Sequence, residues 1–345
     1  MNRIKVFLKH PNKKSIPKMV KEILVLLVKK REIPFYYFKY LYRKDAIDYL
    51  DHLSLKEQRK LQYDKSLHNQ DYVSVINNKL YFALLNKNDL IKTPKLIAYN
   101  YKSSFFHNDT LIHISTEKEL IHFFEKIFNN QNVDGVFLRP HSDYGGHGCF
   151  KITKDNFIKE LKVKSKILIN GNFVHTEVIK QHDSINQIHS KSINTIRIIT
   201  LLTPQKEVEI ISVSIRFGVG DSVVDNASSG GFFVGVDLND GILQSKGHYL
   251  PQFGGGEITR HPDSGFVFAG FKIPYYKEAC ESVKSGVKVI PDGLIGWDVA
   301  ITPDGPVIIE TNAEPHIQIC NIISGGLLKN KHVKNLIEEL KTKAK

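Results

Sequence analysis

The chain has 345 residues, 41% hydrophobic and 24% charged, a composition of soluble globular proteins and a length sufficient for two or three lobes. Its formal charge of +12 is uneven, since residues 1–44 hold 13 Lys/Arg against 2 Asp/Glu, residues 329–345 hold 6 against 2, and the middle is near neutral. The apolar run at residues 23–28 is too short to span a bilayer, no small-residue cleavage site follows it, and the scattered Cys149, Cys280 and Cys320 form no metal pattern and fit a reducing, cytoplasmic setting.

Residues 15–70 read mostly as helices, with Pro17 and Pro34 as boundaries and a capping box from Ser54 to Glu57. The first segment mixes Lys29, Lys30 and Arg31 with Phe35, Tyr36, Tyr37, Phe38, Tyr40 and Tyr42. Three readings fit: a helical arm packing its apolar stripe on the body, peripheral contact of residues 1–44 with an anionic membrane at its inner face, and, least favoured, single-stranded nucleic acid. From about residue 71 the texture changes. Helices are expected over 78–85, 117–127 and 275–285, and strands over 95–99, 136–139, 149–152, 172–178, 196–202, 208–217 and 232–238. This is an α+β pattern with mainly antiparallel sheets, without repeats.

Three places carry chemistry. Strand 136–139 ends in Arg139-Pro140, and Tyr144-Gly145-Gly146-His147-Gly148 leads into the next strand. Such a loop can lay backbone N–H groups over phosphates, or be an ordinary glycine hairpin. Arg197 and Arg216 sit on strands among branched and aromatic residues, where a half-buried cation needs an anion, either a substrate or a structural partner. Lastly, residues 297–312 form a hairpin about Pro303-Asp304-Gly305. With 303–305 as a three-residue loop, Thr302 faces Pro306, Ala300 faces Ile308, and Asp298 lies opposite Glu310, with Asn312 on the same face. Carboxylates about 5 Å apart repel unless a hard cation such as Mg²⁺ joins them, or unless both reach solvent. A two-residue loop would turn Asp298 to the other face.

Taken in order, these pieces resemble the ATP-grasp superfamily over roughly residues 75–325. Asn78-Lys79 opening a helix, Arg139-Pro140, the glycine flap Gly145-Gly146-His147-Gly148, the strand His175-Thr176-Glu177-Val178-Ile179 and the trio Asp298, Glu310 and Asn312 carry it. More closely the chain resembles the sugar-transfer-associated ATP-grasp group, on Gln181-His182, residues 192–197, residues 224–231, His261-Pro262 and residues 295–298.

The resemblance implies two α+β lobes: a basic helical region at 1–74, an N-terminal lobe with the flap at 75–176, a C-terminal lobe with the metal site at 177–328, and a basic tail at 329–345. It implies a ligase joining a carboxylate to an amine through an acyl phosphate, acting on small-molecule or glycan-precursor substrates of cell-surface polysaccharide biosynthesis. A phosphotransferase or a non-catalytic ATP-binding module are the alternatives. ATP would be held by Lys79, Arg139, Gly145, Gly146, His147, Gly148, Glu177, Val178 and Ile179, and one or two Mg²⁺ (or Mn²⁺) by Asp298, Glu310 and Asn312. Arg197, Arg216 and Asn226 would face the reacting groups, and Asp183 is a candidate ribose contact.

Overall fold

Turn residues break the chain into short helices followed by two groups of strands, and the computed structural model describes residues 3–86, 91–130, 133–142, 146–222 and 224–342. The first part holds α1 (Arg3–Lys9), α2 (Ile16–Lys30), α3 (Leu55–Tyr63), α4 (Gln70–Ile76) and α5 (Lys79–Leu85). The expected capping box starts α3: the Ser54 hydroxyl accepts from the Glu57 N–H, and Glu57 accepts from the Ser54 N–H at 2.8 Å. Together they satisfy two of the N–H groups a helix start leaves open.

The first sheet contains β1 (Leu96–Tyr101), β2 (Ser104–His107), β3 (Thr110–His113), β4 (Gly135–Pro140), β5 (Phe150–Thr153) and β6 (Asn172–Glu177) in the order β3-β2-β1-β6-β4-β5. Every pairing is antiparallel. Along β4 the period of two sends Val136 and Leu138 into a core with α6 (Glu117–Asn130) and α7 (Phe157–Asn170), and leaves Phe137 and Arg139 on the opposite face.

After the one-turn α8 (Asp183–Asn186) comes the second sheet: β7 (Ile196–Leu202), β8 (Val208–Phe217), β9 (Phe232–Val236), β10 (Leu243–Tyr249), β11 (Glu257–Ile258), β12 (Leu294–Thr302) and β13 (Gly305–Asn312). Its order is β11-β10-β9-β8-β7-β12-β13, again wholly antiparallel. One face packs on α9 (Tyr276–Val289), through Ile198, Val213, Ile295 and Trp297 against Val283 and Val287. Gly286 of α9 has a packing role, because a Cβ there would lie 2.5 Å from the Trp297 ring. The Trp297 Nε1–H donates to Thr200 Oγ1 at 2.8 Å, so the fully buried indole is satisfied core. The other face, through Ile199, Leu201 and Leu294, meets α3, α10 (Ile317–Ile323) and α11 (Lys331–Thr342).

The two sheets meet at the start of α5. Lys79 N–H donates to His141 O beyond β4 (2.8 Å), Thr311 Oγ1 donates to Ile76 O (2.9 Å), and Arg139 Nη1 donates to Ile309 O (2.9 Å). These bonds fix a cleft between the lobes. Among the described residues no helix is long and apolar enough to cross a membrane.

Candidate active site

The hairpin of β12 and β13 differs from its sequence reading in a way that decides the site. Thr302 pairs with Gly305, not Pro306, and Ala300 with Val307, not Ile308, so the loop has two residues, Pro303 and Asp304. By itself that would send Asp298 to the wrong face. A bulge restores it: Val299 pairs with Ile308 and Asp298 with Glu310, leaving Ile309 as the extra residue. The expected opposition of Asp298 and Glu310 is therefore present, reached by a tighter loop plus a bulge. Ile309 is also the residue whose carbonyl receives Arg139 from the other lobe.

Three strands then align a polar row. Glu310 on β13 faces Asp298 on β12, which faces Arg197 on β7. Arg197 grips Asp298 with two N–H groups, Nε to Oδ1 and Nη2 to Oδ2, the latter at 2.8 Å. Arg216 on β8 adds Nη2 to Oδ2 at 2.9 Å, and its Nη2 also donates to Thr195 Oγ1. Thr195 in turn donates its hydroxyl to Asp225 at 2.6 Å. Gly296 leaves room for this packing, since a Cβ there would sit 2.9 Å from Pro315 and 3.4 Å from Arg197 Cδ. Burial of Asp298 opposes its ionisation, but Arg197 and Arg216 outweigh it and hold the carboxyl down to about 2. Burial likewise disfavours the charged Arg216, yet Asp225 and Asp298 push its pKa above the usual arginine value.

The facing lobe supplies more cations. Lys79, at the start of α5 where Asn78 caps Leu80 and Tyr81, lies 3.4 Å from Glu310. Arg139 is 5% exposed, and among the described residues its Nε has no hydrogen-bond partner. Burial lowers its pKa, and Glu310 acts against that shift. A cleft of about 440 Å³ connects these groups and is lined also by Lys151, Thr176, Glu177, Val178, Ile179 and Asn226. Gly146, at φ 75°, brings the flap onto the loop of the second lobe, where an added Cβ would lie 2.6 Å from Val224.

The sequence profile of the sugar-transfer-associated ATP-grasp family matches residues 58–336, over three quarters of the chain. The chain belongs to that family. A search of curated proteins gave no match. Among solved structures it is similar to D-alanyl-alanine synthetase A from Vibrio cholerae (11% identity, TM-score 0.48, 84% of this chain and 74% of that one). It is also similar to N5-carboxyaminoimidazole synthetase from Staphylococcus aureus in complex with ADP (10%, 0.44, 75% and 51%). A third is the ATP-grasp ligase PsnB with a precursor variant, Mg and ADP (10%, 0.43, 81% and 62%). The chain thus spans about half the length of the Staphylococcus enzyme.

The ATP-grasp fold implies a divalent cation, and the donors suit one. Asp298 and Glu310 present hard oxygens to each other across a strand pair. Asn312 lies two residues beyond Glu310, and its buried Nδ2 has no hydrogen-bond partner among the described residues. No protein acceptor therefore opposes turning the amide so that its oxygen joins the carboxylates. Arg197 and Arg216 hold the Asp298 oxygens, so a cation there would share that carboxylate with them. The one group of three His, Cys or acidic side chains with converging ligand atoms among the described residues, His189, His261 and Asp263, suits a metal less well. Its imidazoles stack with centroids 4.9 Å apart, and His261 Nδ1 already accepts from Asp263 N–H at 3.2 Å. His261 instead ties the turn at 261–265 to Gly218 O at 3.1 Å.

Other candidates fall variously. Gly145 lies outside the described residues; Gly148 has φ 70° against Pro140, and His147 is exposed. Glu177 accepts from Lys95 N–H at 2.9 Å while Val178 and Ile179 line the same cleft. Asn226 lines it too, its side chain capping Ser228 N–H at 2.9 Å. Asp183 is exposed at the start of α8 and does not line the cleft, whereas Asn186 does; His182 caps that helix locally through Ser184 N–H. Two features went unassigned from sequence. Lys151 pairs across from Phe137 and lines the cleft, a residue that alternation along β5 could have flagged. Gln181, named from sequence only as part of the subgroup resemblance and given no role, is buried, accepts from Asn194 N–H (2.6 Å) and donates to His189 O (2.9 Å), bracing the cleft wall.

Proposed function

We propose that this ATP-grasp chain is an ATP- and Mg²⁺-dependent ligase joining a carboxylate to an amine, with a substrate in cell-surface polysaccharide biosynthesis. The observation that carries the reading is the convergence of Lys79, Arg139 and Arg216 on one cleft that also holds Asp298 and Glu310, with Arg197 bound to Asp298 from the neighbouring strand. Such a surplus of fixed cations beside paired carboxylates suits a bound triphosphate. In the first step a substrate carboxylate oxygen bonds to the γ-phosphorus as its bond to ADP breaks. The amine nitrogen then attacks the acyl carbon, the bond to phosphate breaks, and nitrogen loses its proton.

Lys79, Arg139 and Lys151 would orient the phosphates, and Glu177, Val178 and Ile179 would border the base. Arg197 and Arg216 would meet charge growing on the transferred group, with Asn226 beside the acceptor. When bound by Asp298, Glu310 and Asn312, Mg²⁺ (one or two ions, with Mn²⁺ as an alternative) would neutralise phosphate oxygens. The flap at 146–148 against Val224 would keep water from the acyl phosphate. The family's sugar-transfer association supports a glycan precursor as one substrate.

Product analysis with carboxylate and amine panels, including sugar nucleotides and amino sugars, tests the reading. Equal release of ADP and phosphate with a new amide supports it. A stable phosphorylated acceptor would make the chain a phosphotransferase, and nucleotide binding with no turnover a non-catalytic module.

A further inference from the structure

The helix α2 turns its apolar stripe outward. Ile16, Val20, Leu24, Leu27 and Val28 follow each other along one helical face and are 72, 50, 55, 40 and 73% exposed. The inner face holds Met19, Glu22 and Leu26. A helical arm packing its apolar stripe on the body would show the reverse.

The exposed charges within residues 1–44 have one sign. Lys5, Lys9, Lys18, Lys21, Lys29, Arg31 and Lys44 are exposed, whereas the only acids in residues 1–44 are turned inward. Glu22 is buried with Lys14 Nζ at 2.7 Å and the Tyr37 hydroxyl at 2.6 Å. Glu32 accepts from the Leu55 and Lys56 N–H groups at the start of α3. The region is fixed to the second sheet by Arg43 to Glu257 at 3.0 Å, so the stripe has a defined orientation.

We infer that this face docks the protein on an anionic lipid bilayer, the apolar stripe entering the headgroup boundary and the lysines meeting lipid phosphates. A second copy of the chain would bring like charges together. Nucleic acid would match the lysines but leave the stripe in water; Tyr36, Tyr37 and Tyr42 are buried and closed to base stacking, and the exposed rings, Phe35 and Phe38, carry no polar group and add to the apolar surface. An exposed apolar face on a segment whose exposed charges are cationic meets both of its needs at a bilayer surface.

Flotation of the full chain with phosphatidylglycerol-containing and pure phosphatidylcholine vesicles tests this at low and high salt. Binding is expected only to the anionic vesicles and should weaken with salt. The double change Leu24→Asp with Val28→Asp should reduce it by about tenfold or more. Lys18→Ala, Lys21→Ala and Lys29→Ala together should reduce it by about fivefold or more, at about 1 kcal/mol for Lys21 beside Val28 and less for the other two, which lie away from the stripe. Circular dichroism and nucleotide binding should be unchanged in both sets. Absence of wild-type binding to anionic vesicles, equal binding to neutral ones, or variants that bind as well as the wild type would overturn the proposal. So would a concentration-dependent dimer abolished by the Leu24/Val28 pair, which would assign the face to a second copy.

Discussion

Two isosteric changes, Glu310→Gln and Asp298→Asn, separate the cation-binding role of this pair from its structural one. Glu310 is partly exposed and its partner Lys79 lies 3.4 Å away, so losing that ion pair should cost about 0–1 kcal/mol. Asp298 is 1% exposed and satisfies two arginines, so its change leaves buried charge uncompensated at about 3–5 kcal/mol. With an unfolding entropy of about 2.1 cal/mol/K per residue, a cooperative chain of 345 residues would melt about 4–7 °C lower for Asp298→Asn. The shift for Glu310→Gln would be about 1 °C. Calorimetric titration with ADP should then show opposite signs for Glu310→Gln. With Mg²⁺ present, loss of a ligand should weaken binding by at least about tenfold. Without metal, removing a carboxylate that repels phosphate should tighten it, about fivefold if the charges are about 4 Å apart in a water-like dielectric. Equal Mg²⁺-dependent binding by Glu310→Gln and wild type would refute the cation assignment. An unchanged melting point for Asp298→Asn would refute the account of the arginine cluster.

Two further predictions concern single buried groups. Arg139→Met should raise the nucleotide dissociation constant by about 10- to 100-fold, the worth of a hydrogen bond to a charged group, with little change of melting point, because removing a desolvated cation offsets the loss of its bond to Ile309 O; a melting drop with unchanged affinity would make Arg139 purely structural. Burial pushes the His175 pKa down to about 3, with His141 and His107 adding to the shift, while Nε2–H donates to Asn100 Oδ1 at 2.9 Å. The unfolded chain therefore binds a proton that the folded one refuses between about pH 6.5 and 3. Stability is full above that window and falls by about 1.4 kcal/mol per pH unit as pH drops through it. Urea unfolding from pH 6 to 4 should show that slope reduced by about one proton in His175→Gln, and identical slopes would reject a neutral His175.

Much of the scaffold was legible because strong local signals agreed with tertiary demands. The capping box at Ser54, the helix opened by Asn78, and the strands bearing Arg139, Arg197 and Arg216 all stand where alternation and caps put them. The helix α7 was not seen, because Leu161-Lys162-Val163-Lys164-Ser165-Lys166-Ile167 alternates like a strand as well as presenting Leu161 and Leu168 at helical spacing. The β2–β3 hairpin was missed although Asn108 and Asp109, at φ 48° and 60°, form the kind of turn such residues favour. The contact of Arg216 with Asp298 was beyond sequence reading, since it depends on β7 lying between β8 and β12, an order that joins strands far apart in the chain.

The hairpin shows why the site's geometry needed tertiary information even where its residues were clear. A loop of two residues and a pairing of Asp298 with Glu310 are incompatible in a regular ladder, since a period of two fixes which side chains share a face. The conflict is resolved by placing one unpaired residue between the loop and the carboxylates. That residue, Ile309, exposes a carbonyl that the Arg139 guanidinium of the other lobe takes up, so the irregularity that aligns the carboxylates also anchors a cation opposite them. Removing Ile309 should therefore leave Glu310 opposite Asp298, since Val299–Ile308 and Asp298–Glu310 would then follow one another in a regular ladder, but it should take away the carbonyl that holds Arg139, so that metal-free nucleotide binding falls while the enhancement of binding by Mg²⁺ persists.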